Sequence, residues 1–192
     1  MSTATLAPPA PIEATVGISE FLAKHGDESG VELVDGIIRR LEMPGTRHGW
    51  HCMNAGAIFH RFVTERNLGR VFSNDTFIYT RRDPDGCRGA DVCFVGYETI
   101  PADAVLSDGP LSPPIDLVVE VRSKHDSIGE MTTKAIEYLA AGVRVVLVLD
   151  PFSRVAGIFR PDELPMRLGN GDELSLPDIL PGFAMPVSKF FE

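Results

Sequence analysis

In the apolar run Leu117-Val-Val-Glu-Val121 one acid interrupts four apolar residues. A run without polar alternation predicts a strand buried on both faces. Glu120 breaks the pattern, and a carboxylate in such a strand is costly unless it is paired or binds a metal. Ala90-Asp-Val-Cys-Phe-Val95 repeats the theme, with Asp91 opening a short apolar strand. Val143–Leu149 is a third such run, ended by Asp150-Pro151, and Arg154–Phe159 predicts its partner strand. Between the second and third runs, Ile128, Met131, Ala135, Tyr138 and Leu139 recur at helical spacing and predict a helix over Ser127–Ala141. Ser127 or Asp126 is its N-cap, Glu130 stands at capping-box distance from Ser127, and Gly142 is its stop. Lys134 falls at the border of the apolar stripe. It can snorkel to solvent, pair with Glu130 one turn away, or reach along the helix face into a cleft.

Upstream, the pattern predicts a Pro-rich disordered tail over residues 1–16 and one domain over 17–192. A short helix is expected at Ser19–His25, with Ser19 as cap. Val31–Met43 reads as a β-hairpin turning at Asp35-Gly36, which places Glu32 on the face of Val34. There Glu32 is either an edge-strand charge in water or a functional acid. His48–Asn67 predicts the longest helix, with Thr46 able to cap it. Gly69–Phe72 and Thr76–Thr80 predict two strands with Ser73-Asn74-Asp75 as their turn, and Tyr97–Pro114 is a long loop. The C-terminal stretch from Asp172 reads as a short strand, a turn at Leu180-Pro-Gly182 and an amphipathic close.

Composition narrows the class. At 192 residues and 44% apolar content the chain can bury a real core, and no run reaches the roughly 18 apolar residues of a membrane span. No secretory signal is expected. Cys52, Cys87 and Cys93 are odd in number and lack CxxC spacing, which points to free thiols in a reducing cytoplasm rather than a zinc site. Cys93, in a buried-type strand with no base at recognisable spacing, is expected to be core rather than a nucleophile. A net charge of −9 excludes holding nucleic acid by bulk electrostatics. Residues 36–90 nevertheless carry nine arginines against five acids, either a phosphate-binding face or a solvated surface. His48, His51 and His60 read as surface or capping histidines.

Two carboxylates on neighbouring strands repel, and one pKa rises unless a divalent cation sits between them. Two carboxylates, a backbone carbonyl and waters suit Mg²⁺ or Mn²⁺, and a nearby lysine can position water or stabilise transition-state charge. The ordered set of Glu32-Leu-Val-Asp-Gly36, Asp91 opening a strand, Val119-Glu-Val-Arg-Ser123, Lys134-x-x-x-Tyr138-x-x-x-Gly142-Val143, Asp150-Pro151 and Leu180-Pro-Gly-Phe183 resembles the Uma-two family of restriction-endonuclease-like proteins, within the PD-(D/E)XK nuclease-like superfamily. The resemblance implies an α/β (α+β) restriction-endonuclease-like core, a mixed β-sheet flanked by helices with an N-terminal β-hairpin. It implies a divalent metal, Mg²⁺ or Mn²⁺, with Asp91 and Glu120 as acidic ligands and the Val121 carbonyl as a further one. Lys134, supplied from the following helix, takes the lysine's place, and Glu32 is in support. Ala90 stands where the superfamily has proline, and Arg122 where it has lysine. Arginine cannot be deprotonated, so Arg122 is a charge stabiliser at most. His48 also matches a family position, without an assigned role. The expected activity is hydrolysis of DNA phosphodiesters by a cytoplasmic protein, with a homodimer open to it. The alternative is a non-catalytic binding or assembly protein on the same fold.

Overall fold

The computed structural model describes residues 15–192, so residues 1–14, most of the expected tail, lie outside the described part. The elements run α1 (Ile18–His25), β1 (Val31–Val34), β2 (Ile37–Arg40), α2 (Thr46–Glu65), β3 (Gly69–Arg81), β4 (Gly86–Gly96), β5 (Ile115–Val121), α3 (Ile128–Ala141), β6 (Val143–Asp150), β7 (Val155–Phe159), β8 (Met166–Leu168), β9 (Glu173–Ser175) and β10 (Ala184–Pro186), closed by a 3₁₀ turn over Val187–Phe191. Eight strands form one mixed sheet ordered β2-β1-β4-β5-β6-β7-β8, with β3 on β4. All its pairings are antiparallel except β5 with β6, which are parallel and joined through α3. Among the described residues no helix is long and apolar enough to cross a membrane.

The hairpin forms as its turn chemistry requires: Asp35 and Gly36 both take positive φ, 51° and 75°. The sequence expectation of two strands around a Ser73-Asn74-Asp75 turn is corrected. The chain is one long strand, β3, in which Asn74 and Asp75 adopt positive φ while the pairing with β4 slips between Ser73 and Thr76. That bulge absorbs the turn-forming residues without ending the ladder. Ser19 does not cap α1, and Thr46 lies inside α2 rather than at its cap. Gly17 and Gly45 occupy the N-cap positions, neither with a side-chain cap. For α1 the missing acceptor comes from far along the chain: Asp85 Oδ2 accepts the Ile18 N–H at 2.7 Å. Of the helix starts, only that of α3 is capped as read, by the reciprocal Ser127–Glu130 box, and left-handed Gly142 (φ 107°) ends the helix.

The two helices pack on opposite faces. Ala55, Phe59 and Val63 of α2 bury against Val92, Val119 and Val121, together with Phe183 and Phe190 from the C-terminal stretch. Ala135 and Tyr138 of α3 bury against Ile78, Cys93, Val118 and Val146. β5 is therefore covered on both sides, as its unbroken apolar run requires.

Register explains where a site can form. β3 runs along one edge of β4, so β1, meeting β4 at Leu33↔Cys87, and β5, meeting it at Val92–Phe94, share the other edge. Between them the edge of β4 near Arg88–Asp91 has no strand partner. Backbone groups left there must find side chains or pay for desolvation.

Candidate active site

Side chains fill that break. Glu32, from β1, accepts the Gly89 N–H at 3.1 Å. Lys134, from α3, donates to the Gly89 carbonyl at 2.9 Å, and the Tyr138 hydroxyl lies 3.3 Å from the same oxygen. Lys134 Nζ is also 3.0 Å from Glu120 Oε2 and 3.0 Å from Glu32 Oε1. Tyr138 donates to Glu120 Oε1 at 2.9 Å. Across the strands, Asp91 Oδ2 accepts the Val121 N–H at 2.7 Å. The pairing of Val92 with Val119, continued by one step, brings Asp91 opposite Glu120.

Four of the sequence candidates, Glu32, Asp91, Glu120 and Lys134, thus converge, and Val121 joins them through its backbone. Glu32 is buried rather than an edge charge. Lys134 turns away from Glu130, which is spent on the capping box. His48 is corrected from a surface or capping residue: its Nε2 lies 3.4 Å from Asp91 Oδ2, and its side chain is only 14% exposed. Arg122 does not enter the cluster. It pairs with Asp150 at 3.2 Å and donates to the Asp126 carbonyl.

Sequence reasoning missed Arg88, Glu137, Tyr138 and Cys52 as site residues. Arg88 bonds Glu32 Oε2 at 2.8 Å and Glu137 on its other side, while Thr80 donates to Glu137. Tyr138 and Cys52 had a readable signal, the i,i+4 spacing that puts them on the helix faces of Lys134 and His48. Arg88 and Glu137 had none, because their meeting depends on how β4 and α3 pack.

The charges are unequal. Glu32, Asp91, Glu120 and Glu137 face two permanent cations, Arg88 and Lys134, with His48 beside them. Burial pushes the Glu120 carboxyl up to about 8, the charges of Asp91 and Glu32 add to that, and Lys134 offsets it only in part. Burial opposes the ionised forms of Glu32 and Asp91 too. Lys134 and Arg88 nevertheless hold Glu32 below the usual range, and His48, Lys134 and the Val121 N–H do so for Asp91. Burial works against the His48 imidazolium, but Asp91 and the Val121 backbone outweigh it and raise its pKa. Burial would lower the Lys134 pKa, and the carboxylates of Glu120, Glu32 and Asp91 raise it instead.

Asp91 also faces a cleft of about 560 Å³ lined by His48, Cys52, Gly56, Asp75 and His60. One donor atom each from His48, Cys52 and Asp91 lies within 4.8 Å of the others, a grouping able to hold a metal ion. The cysteine sulfur is 3.3 Å from His48 Nδ1 and 3.8 Å from Nε2. It therefore lies near both ring nitrogens rather than along one lone pair. Burial, and then Asp91, push the Cys52 thiol well up, so it is no ready nucleophile. Cys93 is a core thiol, raised to about 12 by burial. A second cleft of about 260 Å³ shares His48 as a wall and is bordered by Arg47, Arg122, Lys124, His125 and Phe152.

Comparison with known proteins bears on family and fold. The family model Uma2, described as "Putative restriction endonuclease", matches residues 18–188. A crystal structure from Anabaena variabilis, described as a "putative nuclease belonging to DUF820", superposes with a TM-score of 0.80 at 17% identity, over 92% of this chain and 97% of that one. The two share a fold. No curated protein matches the chain in sequence.

Proposed function

The chain belongs to the Uma2 family, and from that premise we propose that it is a divalent-metal-dependent nuclease that hydrolyses DNA phosphodiester bonds. The observation that carries the reading is the meeting of Asp91, Glu120 and Lys134 at the break in the β4 edge. The donor set fits a cation on the structure's own terms. Carboxylates outnumber permanent cations in the cluster, and Glu120 is the group left without full compensation.

Asp91, Glu120 and the Val121 carbonyl would hold Mg²⁺ or Mn²⁺. When bound, such an ion supplies charge neutralisation at a phosphoryl oxygen and acidifies water. The remaining work belongs to the chain. Lys134, fixed by Glu120, Glu32 and the Gly89 carbonyl, presents its ammonium where charge develops on the phosphate or orients the attacking water. Glu32 is a positioning residue, locked to Arg88 and to the Gly89 N–H. Tyr138 fixes the second oxygen of Glu120.

The test is cleavage of plasmid and linear DNA with Mn²⁺ or Mg²⁺, comparing wild type with Asp91→Asn and Glu120→Gln. Activity in the wild type and a loss of about a hundredfold or more in each folded variant is expected, the scale of removing an electrostatic stabiliser. Unchanged activity in Asp91→Asn would sink the reading. A folded wild type that binds DNA without ever cutting it assigns the chain to the non-catalytic alternative.

A further inference from the structure

The nuclease reading leaves open how an acidic protein grips a polyanion, and the nine arginines of residues 36–90 do not answer it together. Arg40, Arg61, Arg66, Arg81 and Arg88 pair with carboxylates, and Arg70 is spent on the carbonyls of Ala102 and Ala104. Arg39, Arg47 and Arg82 make no ion pair among the described residues, and Arg82 lies over the Tyr79 ring. Of these three, Arg47 borders the second cleft, its guanidinium 5.4 Å from the centre of the Phe152 ring.

Two further cations border that cleft. Arg122 lies 5.1 Å from the same ring centre and is fixed by Asp150 and the Asp126 carbonyl. Lys124 is exposed and has no ion pair among the described residues. The opposing acids are accounted for. Asp150 pairs with Arg122, Asp126 accepts the Ser123 N–H at 2.7 Å, and Glu42 lies 3.1 Å from His125. Three permanent cations, with His125 on the same rim, therefore face three carboxylates, each of them already engaged. The cleft thus escapes the acidic excess of a chain of net charge −9, and Arg47 and Lys124 are its unpaired charges among the described residues. Both guanidinium groups lie within cation–π range of the Phe152 ring, an attraction that favours their position beside the cleft before any ligand arrives.

His48 joins this cleft to the catalytic one, since it lines both and lies 3.4 Å from Asp91. An extended strand passing Asp91 would meet Arg47 and Lys124 next. Resting on the nuclease reading, we propose that the cleft of Arg47, Arg122, Lys124 and Phe152 seats a backbone phosphate of the nucleic-acid strand, adjacent to the phosphate that is cut. The half-exposed Phe152 ring offers the sugar an apolar surface beside that phosphate. Such a seat gives grip and orientation without sequence preference, because backbone contacts position and do not specify.

The test is binding of a fluorescein-labelled DNA duplex by fluorescence anisotropy, in EDTA so that nothing is cut, across a salt series. Arg47→Ala and Lys124→Ala should each weaken binding similarly on unrelated sequences and flatten the slope of log K against log salt by about 1. The double variant should flatten it by about 2 and lower affinity at least about tenfold. Lys24→Ala removes the same charge from a residue that lines neither cleft, and it should leave the slope unchanged. A double variant that binds as wild type does overturns the inference, whether or not inorganic phosphate competes, and leaves the nuclease reading standing if the wild type cuts DNA. A slope that falls as much in Lys24→Ala also overturns it, by showing bulk charge in place of a seat. A wild type that neither binds nor cuts DNA overturns both.

Discussion

Lys134 touches Glu32, Glu120 and the Gly89 carbonyl at once, all within 3.0 Å. Replacing it with methionine removes the cation from Glu120 and leaves Glu32 with Arg88 alone. Breaking a buried pair in this way costs about 3–5 kcal/mol. The lower end is expected here, about 3 kcal/mol by urea denaturation, because Glu120 is already poised near 8 and can take up a proton. A Lys134→Met variant as stable as wild type would mean that the lysine is not holding these acids. At this scale the sequence exposed the anomalies. Glu120 stood out because an acid in an apolar run has to be explained, and Lys134 because it borders its stripe. Arg88 looked like one arginine among nine, although it is the most deeply engaged. Pairing is a property of two side chains, and nothing along one strand marks the partner.

The helix that carries Lys134 is held at both ends by local chemistry. Ser127 and Glu130 cap its start, and Gly142 takes a left-handed conformation at its end. Ser127→Ala should therefore lower stability by about 1 kcal/mol, read from thermal or urea unfolding, without touching the site directly. α1 depends instead on Asp85, which accepts from the Ile18 N–H and from the Tyr79 hydroxyl. Those bonds depress the Asp85 pKa below its unfolded value. A depressed carboxylate contributes stability that is present above the unfolded pKa and lost as pH falls through the folded one. The melting-temperature gap between wild type and Asp85→Ala should be full at neutral pH and shrink progressively below about pH 4. A gap that stays constant with pH would show that charge plays no part in the contact. The two helices also show why some element ends were legible and others were not. A capping box lies within four residues of sequence, whereas the acceptor for α1 arrives from 67 residues away.

For the whole molecule, the folded state assembles the carboxylate cluster and the unfolded chain does not. A divalent cation held there must then stabilise the fold by mass action. At Mn²⁺ a hundredfold above its Kd the gain is about 2.7 kcal/mol, equal to several degrees in melting temperature for a chain of this size. Scanning calorimetry should show that shift in wild type and its loss in Asp91→Asn; an equal shift in both would place the ion elsewhere. The apolar runs by themselves determined that β5 and β6 are buried strands, that a helix lies between them, and that Asp91 and Glu120, as acids in such strands, require compensation. Burial periodicity is local, and a violation of it is visible in one dimension. The sequence did not determine that β1 and β5 share one edge of β4 and leave a break at Gly89, that β3 continues through its bulge, or that His48 and Arg88 reach the acids while Arg122 turns to Asp150. Those outcomes were decided only by the tertiary structure. They depend on which strand edges meet and on which orphaned backbone group must be satisfied, and that requirement exists only once the sheet has formed.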